Sequence, residues 1–382
     1  MIDGYFHHSI ILPSPAFAVT NPLASASSTY TNVPPSGLKL GTTLLQLYWL
    51  EFSSRIDPFY VLLDKIKTKF IQSARCLDMN HSGAGSDDIR AVEITKDRNG
   101  IGLVVLRNHR GASARVSLHG GQVLSWKWER GEELLFTSSK AIISPLKPLR
   151  GGIAICFPQF RNRGSLEHHG FARNKMWVID QDPPPLPTDS GEKAHIDLLL
   201  KPTEDDLKIW PHSFELRLRV SLGGNGYLTL ISRVRNVNSK PFSFSFAYHT
   251  YYSVSDISEV RVEGLETLDY LDNLQNQERF TEQGDALTFE SEVDRVYLDS
   301  GSSGVAVLDH EKKQTIVIRK EGLPDVVVWN PWEKKSKAIV DLGDEEYKQM
   351  VCVDGAAIEK PITLKPGEEW TGRLDLSVVP ST

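Results

Sequence analysis

On either side of the turn GGNG (Gly223 to Gly226), the segments FELRLRVSL and YLTLISRV alternate strictly between apolar and polar residues. A period of two puts successive side chains on opposite faces of a pleated strand, and a Gly- and Asn-rich turn between two such runs specifies a hairpin. The same punctuation begins near Ile89: GLVVLRN, ARVSLHGG, QVLSWKW and ELLFTS follow one another between Gly102 and Ser138, with Arg110-Gly111, Gly120-Gly121 and Arg130-Gly131 between them. AHIDLLL adds a strand and GVAVLDHEKKQTIVIRKEG a second hairpin, while a helix fits only as a short piece near Thr203 to Trp210. Many short strands at close spacing predict an all-β sandwich or barrel. No glycine-rich loop feeds a helix, which excludes Rossmann and P-loop readings. The chain has 382 residues, 40% apolar and 24% charged, enough for one large β domain with a full core.

Residues 1–85 read differently. They are rich in Ser, Thr and Pro, nearly free of acidic groups before Glu51, and show no strand alternation. The expectation is a poorly ordered leader over 1–85 and a β-sandwich domain over 86–382, with MNHSGAGSDD from Met79 as a polar linker. TTLLQLYWLEF (Thr42 to Phe52) is too short to span a bilayer. The first arginine is Arg55, so the leader lacks the Arg-rich character of a typical transit peptide. A cytoplasmic protein is expected, or a plastid one if the leader is a transit peptide. Cys76, Cys156 and Cys352 are far apart with no CxxC pair, which argues against a disulfide framework and a structural zinc site. A formal charge of −6 argues against nucleic acid or an anionic membrane as the main partner and leaves room for a local basic pocket.

Three stretches carry the candidate chemistry. RGGIAICFPQFRNRGSLEHHGFAR holds Arg150 and Arg173 at its ends; Gly151 and Gly152 let the backbone turn, and a pair of guanidiniums suits a carboxylate or phosphate. A single arginine is more often paired with a surface acid. In PFSFSFAYHTYYSV, alternation puts Phe242, Phe244, Phe246 and Tyr248 on one face, and His249 with Ser243, Ser245, Ala247 and Tyr251 on the other. The aromatic face suits packing on a second sheet, leaving His249 over a groove, although a lone strand histidine is often structural. In QMVCVDG, Met350, Cys352 and Asp354 share a face, and a carboxylate leaving an apolar strand is a candidate base. Glu359 reads as a solvated turn acid, Asp294 and Arg295 as lying just before a strand, and the Trp rings of DVVVWNPWEK as core.

RGGIAICFPQF, HHGFARNKMW, FAYHTYY, VDRVYLD and MVCVDGAAIEKPITLKPGEEW, in this order, resemble the glucose-6-phosphate 1-epimerases, the hexose-6-phosphate mutarotase branch of the aldose 1-epimerase family. The wording is closest to plant members, which include the apospory-associated protein C group. The resemblance runs from about Ile89 to Val379. It implies a galactose-mutarotase-like supersandwich that interconverts the α and β anomers of a hexose 6-phosphate by ring opening. No cofactor or metal is implied, nor a nucleic-acid or membrane partner, and a monomer is expected. It makes His249 the acid that protonates the ring oxygen and Asp354 the base, at the family's Glu position. Arg150, His168, Arg173 and Asp294 become substrate-binding residues, the arginines at the phosphate end.

The chain departs from the family at two places. His168 stands where Gln is usual before His-Gly, an expected pH-sensitive contact. Asp354 is a methylene shorter than Glu, about 1.5 Å of reach, and misplacement on that scale costs roughly 10²-fold in rate. Extra freedom at Gly355 is expected to recover part of it. The expectation is therefore an impaired mutarotase, with a sugar-phosphate-binding protein of the same fold as the alternative. A mutarotase for neutral sugars fits the arginine pair less well, and no acid pair suggests a glycosidase.

Overall fold

The computed structural model describes residues 91–142, 147–186, 194–301 and 304–380. The expected leader, Cys76 and part of the PPPLPTDSGE loop lie outside the described residues. What is described lies in the unit Gly85–Thr382.

Among the described residues, strands form two sheets of eleven and nine strands, with every pairing between named strands antiparallel and, of the isolated bridges, only Phe157↔Gly170 parallel. The alternating segments account for this: Phe214–Leu222 and Leu228–Asn236 pair in one unbroken register from Phe214↔Asn236 to Leu222↔Leu228. Gly226 takes φ 74° in the turn, where a Cβ would be strained. Val305–Asp309 and Gln314–Glu321 form the second expected hairpin. The ELLFTS segment differs from expectation, making only isolated bridges, Leu135↔Tyr252 and Thr137↔Gly151 among them. The short helix is Glu204–Ile209, closed by a capping box between Thr203 and Asp206. A second helix, Trp332–Ala338, follows the Trp-Asn-Pro-Trp turn.

The core lies between the sheets. One cluster joins Val104, Ile155, Phe246, Tyr248 and Val353 from the larger sheet to Leu218, Leu230, Leu374 and Val378 from the smaller. Phe242, Phe244, Phe246 and Tyr248 all face it, as alternation required. The Tyr248 hydroxyl meets Ser232 Oγ at 2.8 Å and the Gly372 carbonyl at 3.1 Å, both in the smaller sheet, which fixes the strand's rotation. His249, one residue on, then points the other way.

Five strands at the middle of the larger sheet build that outer face. In spatial order they are Ile153–Cys156, Phe242–Ser253, Met350–Leu364, Asp325–Asn330 and Val293–Tyr297. Asp294 and Arg295 lie inside the last of these rather than before it, and Glu359 belongs to the 15-residue strand Met350–Leu364 rather than to a turn. Gly355 shows no slack: it pairs with Tyr248 and Val326, and a Cβ there would stand 3.2 Å from Leu374 and 3.3 Å from Leu323. It is glycine for space.

Candidate active site

His249 and Asp354 face each other across neighbouring strands. His249 Nδ1 is 2.8 Å from Asp354 Oδ2, while Asp354 Oδ1 accepts the Thr250 amide at 2.8 Å. With the carboxylate ionised, Nδ1 carries the proton and Nε2 is the exchangeable position. Nε2 in turn meets the Tyr251 hydroxyl at 2.9 Å. The imidazole is held between rings, stacked on His169 at 5.3 Å and 25° and packed against Trp329 at 6.0 Å.

The chain of contacts continues from Tyr251. Arg150 Nη1 donates to the Tyr251 hydroxyl at 3.0 Å, and its Nε and Nη2 donate to Asp341 Oδ1 at 3.1 and 2.9 Å. Burial works against the guanidinium charge, but Tyr251 and Asp341 outweigh it and hold the Arg150 pKa above its usual range. The Arg150 backbone is set by Gln122, whose amide donates to the Leu149 and Gly151 carbonyls at 2.9 and 2.7 Å. Gly152 adopts φ 62°, and a Cβ on it would fall 2.1 Å from the Val123 carbonyl oxygen, so the turn beside Arg150 requires glycine.

A hollow of about 370 Å³ opens here, lined among others by Arg150, Ala154, His168, Arg173, His249 and Tyr251. Ala154 pairs directly with His249, and its small side chain leaves the imidazole open to the hollow. Arg173 Nη2 donates to the His168 carbonyl at 2.7 Å, while its buried Nε has no acceptor. Arg173 as a whole lines the hollow, and its guanidinium is of the type that pairs with anions.

Four of the six expected site residues thus share one wall system: Arg150, His168, Arg173 and His249. Asp354 and Asp294 do not line the hollow. Asp354 is fully buried beneath His249 with both oxygens engaged, so it addresses the hollow through the imidazole. Asp294, 2% exposed, accepts from Arg161 Nη2 and from Asn273 Nδ2 at 2.9 Å. His168 contacts Asn162 Oδ1 at 3.0 Å; desolvation, then Arg173 and Arg161, push its pKa down to about 4. These effects favour the neutral imidazole. His169 is pushed well below the normal range, first by burial and then by His249 and Arg173, and its Nδ1 accepts the Arg161 amide at 3.2 Å, leaving the proton on Nε2.

The reading from sequence missed Asp341, Gln122 and the stacking role of His169, and noted Tyr251 only as a neighbour on the His249 face. The two-residue spacing of His249 and Tyr251 was a usable signal; nothing in sequence links Asp341 to an arginine 191 positions away. Among the described residues, one donor group could attract a metal: the ligand atoms of His249, Cys352 and Asp354 lie within 4.8 Å of one another. The first and last are spent on each other, and burial raises the Cys352 thiol pKa well above normal, so the set is poorly disposed to bind an ion.

The family model for aldose 1-epimerase matches residues 102–377. The chain belongs to the aldose 1-epimerase family. Within it, the chain is 65% identical over 292 residues to a Cenchrus ciliaris protein provisionally named a glucose-6-phosphate 1-epimerase, covering 76% of this chain and 88% of that one. An Escherichia coli protein of the same provisional name is 29% identical over 66% of this chain and 82% of its own length. Among solved structures, a provisionally named mutarotase from Salmonella typhimurium superposes with a TM-score of 0.67 at 25% identity, covering 81% of this chain and 99% of that one. The fold, all-β with few helices, is that of its galactose mutarotase-like structural neighbours. No described helix is long and apolar enough to cross a membrane.

Proposed function

We propose that this aldose 1-epimerase family member interconverts the α and β anomers of a hexose 6-phosphate, with glucose 6-phosphate as the reference substrate. The observation that carries the reading is a single hollow holding an imidazole and two guanidiniums, Arg150 and Arg173. Anomer exchange of a neutral sugar needs only the proton-handling group. A pair of arginines lining the same hollow adds what a phosphate dianion requires. The names of the curated relatives agree with this substrate.

The chemistry follows from the proton positions. The C1 hydroxyl gives its proton to Nε2 of His249 as C1–O1 becomes a carbonyl and the C1–O5 bond breaks; the ring oxygen then takes a proton from the same imidazolium. Rotation about C1–C2 and the reverse steps close the ring on the other face, and the protein ends as it began. Asp354 keeps Nδ1 protonated, orients the ring and stabilises the imidazolium, acting through His249 rather than on the sugar. The Tyr251 hydroxyl, between Nε2 and Arg150, ties the proton-handling atom to the phosphate clamp. Exchange spectroscopy between the anomers of glucose 6-phosphate tests the reading: His249→Asn is expected to lose roughly 10²–10⁴-fold in exchange rate. Full activity in that variant would refute it.

A further inference from the structure

A second and larger depression, about 920 Å³, lies on the N-terminal half of the same sheet. It shares Lys147 and Leu149 with the sugar hollow, so the two adjoin. Its other cations are Lys96, Arg98, Arg115 and Lys127, and among the described residues none of the five side chains has an ion-pair or hydrogen-bond partner. Arg115 and Lys127 lie on the same face of adjacent paired strands. The acids of the groove are committed to holding backbone in place. Asp97 accepts the amides of Asn99 and Ile101, Glu133 those of Trp126 and Leu135, and Glu346 those of Ser139 and Gly343.

Five free cations in one concave surface are notable on a chain of net charge −6. Against the three carboxylates of the same lining they leave the groove net positive, so its local field attracts anions against the charge of the whole molecule. The remaining polar lining is of the type that pairs with hydroxyls: the exposed side chains of Asn99, Thr137 and Gln349. The two aromatic rings in the lining, His119 and Phe136, are only 6% and 7% exposed and offer little face for a base to stack on. That lining favours a saccharide over a nucleotide.

We propose that this groove is a second binding site, for the phosphorylated remainder of an oligosaccharide whose reducing hexose 6-phosphate occupies the hollow. This rests on the sugar-phosphate reading of the hollow and extends it to larger substrates. The reducing residue keeps its free anomeric centre at His249, while the next residue, carrying its own phosphate monoester, lies over Arg115 and Lys127.

The test compares four probes on the full chain by calorimetry and by competition with glucose 6-phosphate exchange: maltotriose 6-phosphorylated on more than one residue, unmodified maltotriose, glucose 6-phosphate, and tripolyphosphate. The phosphorylated trisaccharide is expected to bind about tenfold more tightly than glucose 6-phosphate, the gain from one added set of charge-assisted contacts. Arg115→Gln with Lys127→Gln should erase that gain and leave glucose 6-phosphate exchange unchanged; Arg115→Lys with Lys127→Arg should retain it. The proposal is overturned if the trisaccharide gains nothing, if the gain survives the double Gln variant, or if tripolyphosphate competes equally well. Absence of glucose 6-phosphate exchange in the unaltered protein would instead overturn the reading of the hollow, and calorimetry with the trisaccharide still reports on the groove.

Discussion

Arg150 directs two of its three guanidinium nitrogens at a single oxygen of Asp341, so the proposed phosphate clamp already holds a carboxylate. Substrate must share or displace that partner. Removing the charge at 341 therefore frees the guanidinium: Asp341→Asn is expected to lower the KM for glucose 6-phosphate by about three- to tenfold. Glucose without phosphate should show no such gain. A raised KM would mean that Asp341 serves chiefly to aim Arg150.

Asp354→Asn keeps the shape of the buried side chain but removes the acceptor that fixes the imidazole tautomer. Anomer exchange is expected to fall roughly 10²–10⁴-fold, with phosphate binding retained. Asp354→Glu adds a methylene to a fully buried, fully bonded position, and overpacking of that kind typically costs about 1–3 kcal/mol. It should also be slower than the unaltered protein. Faster exchange in the Glu variant would show that the carboxylate works directly on the sugar.

Tyr251→Phe severs the link between His249 Nε2 and Arg150 while leaving the ring to pack on Trp329. Exchange is expected to drop about tenfold, from the loss of an aligned hydrogen bond at the reacting nitrogen. The fall should be much smaller than that of His249→Asn when both are measured by the same exchange experiment.

His168 titrates near 4 in the folded protein against a normal value of 6.5. The unfolded chain therefore binds the extra proton between those values, and stability falls as pH drops through that window. Urea unfolding at a series of pH values should show a shallower decline for His168→Gln. An unchanged slope would mean that the exposed imidazole is well screened.

Burial pushes the Cys156 thiol up to about 12 and that of Cys352 well above normal. Since thiolate is the reactive form, neither should be alkylated by iodoacetamide at pH 8 in the native protein. Peptide mapping should find both modified after denaturation. Native labelling of Cys352 would indicate an opening of the strand pair beneath the hollow.

Strand periodicity made most of the larger architecture legible, because a one-residue slip would have turned every side chain over. The facing of Phe242 to Tyr248 and of His249 followed from counting by twos along one strand. Asp294 was placed outside its strand because SEVDRVYLDS carries its polar residues mid-run. The hollow was legible at Arg150, Arg173 and His249 through ordered motifs. Asp341 and Gln122 were invisible because their roles depend on tertiary proximity. The burial of Asp354 depends on which strand lies across from it, and the order of strands in a sheet is not written in any one strand's pattern.

The paired strands that carry His249 and Asp354 are separated by 105 positions, and the carboxylate comes from the last part of the chain. During synthesis, the imidazole leaves the ribosome well before the group that orients it. The nascent protein thus holds Arg150, Arg173 and His249 before Asp354 has been made. Catalytic competence should switch on late, as the closing strands zip into the middle of the sheet.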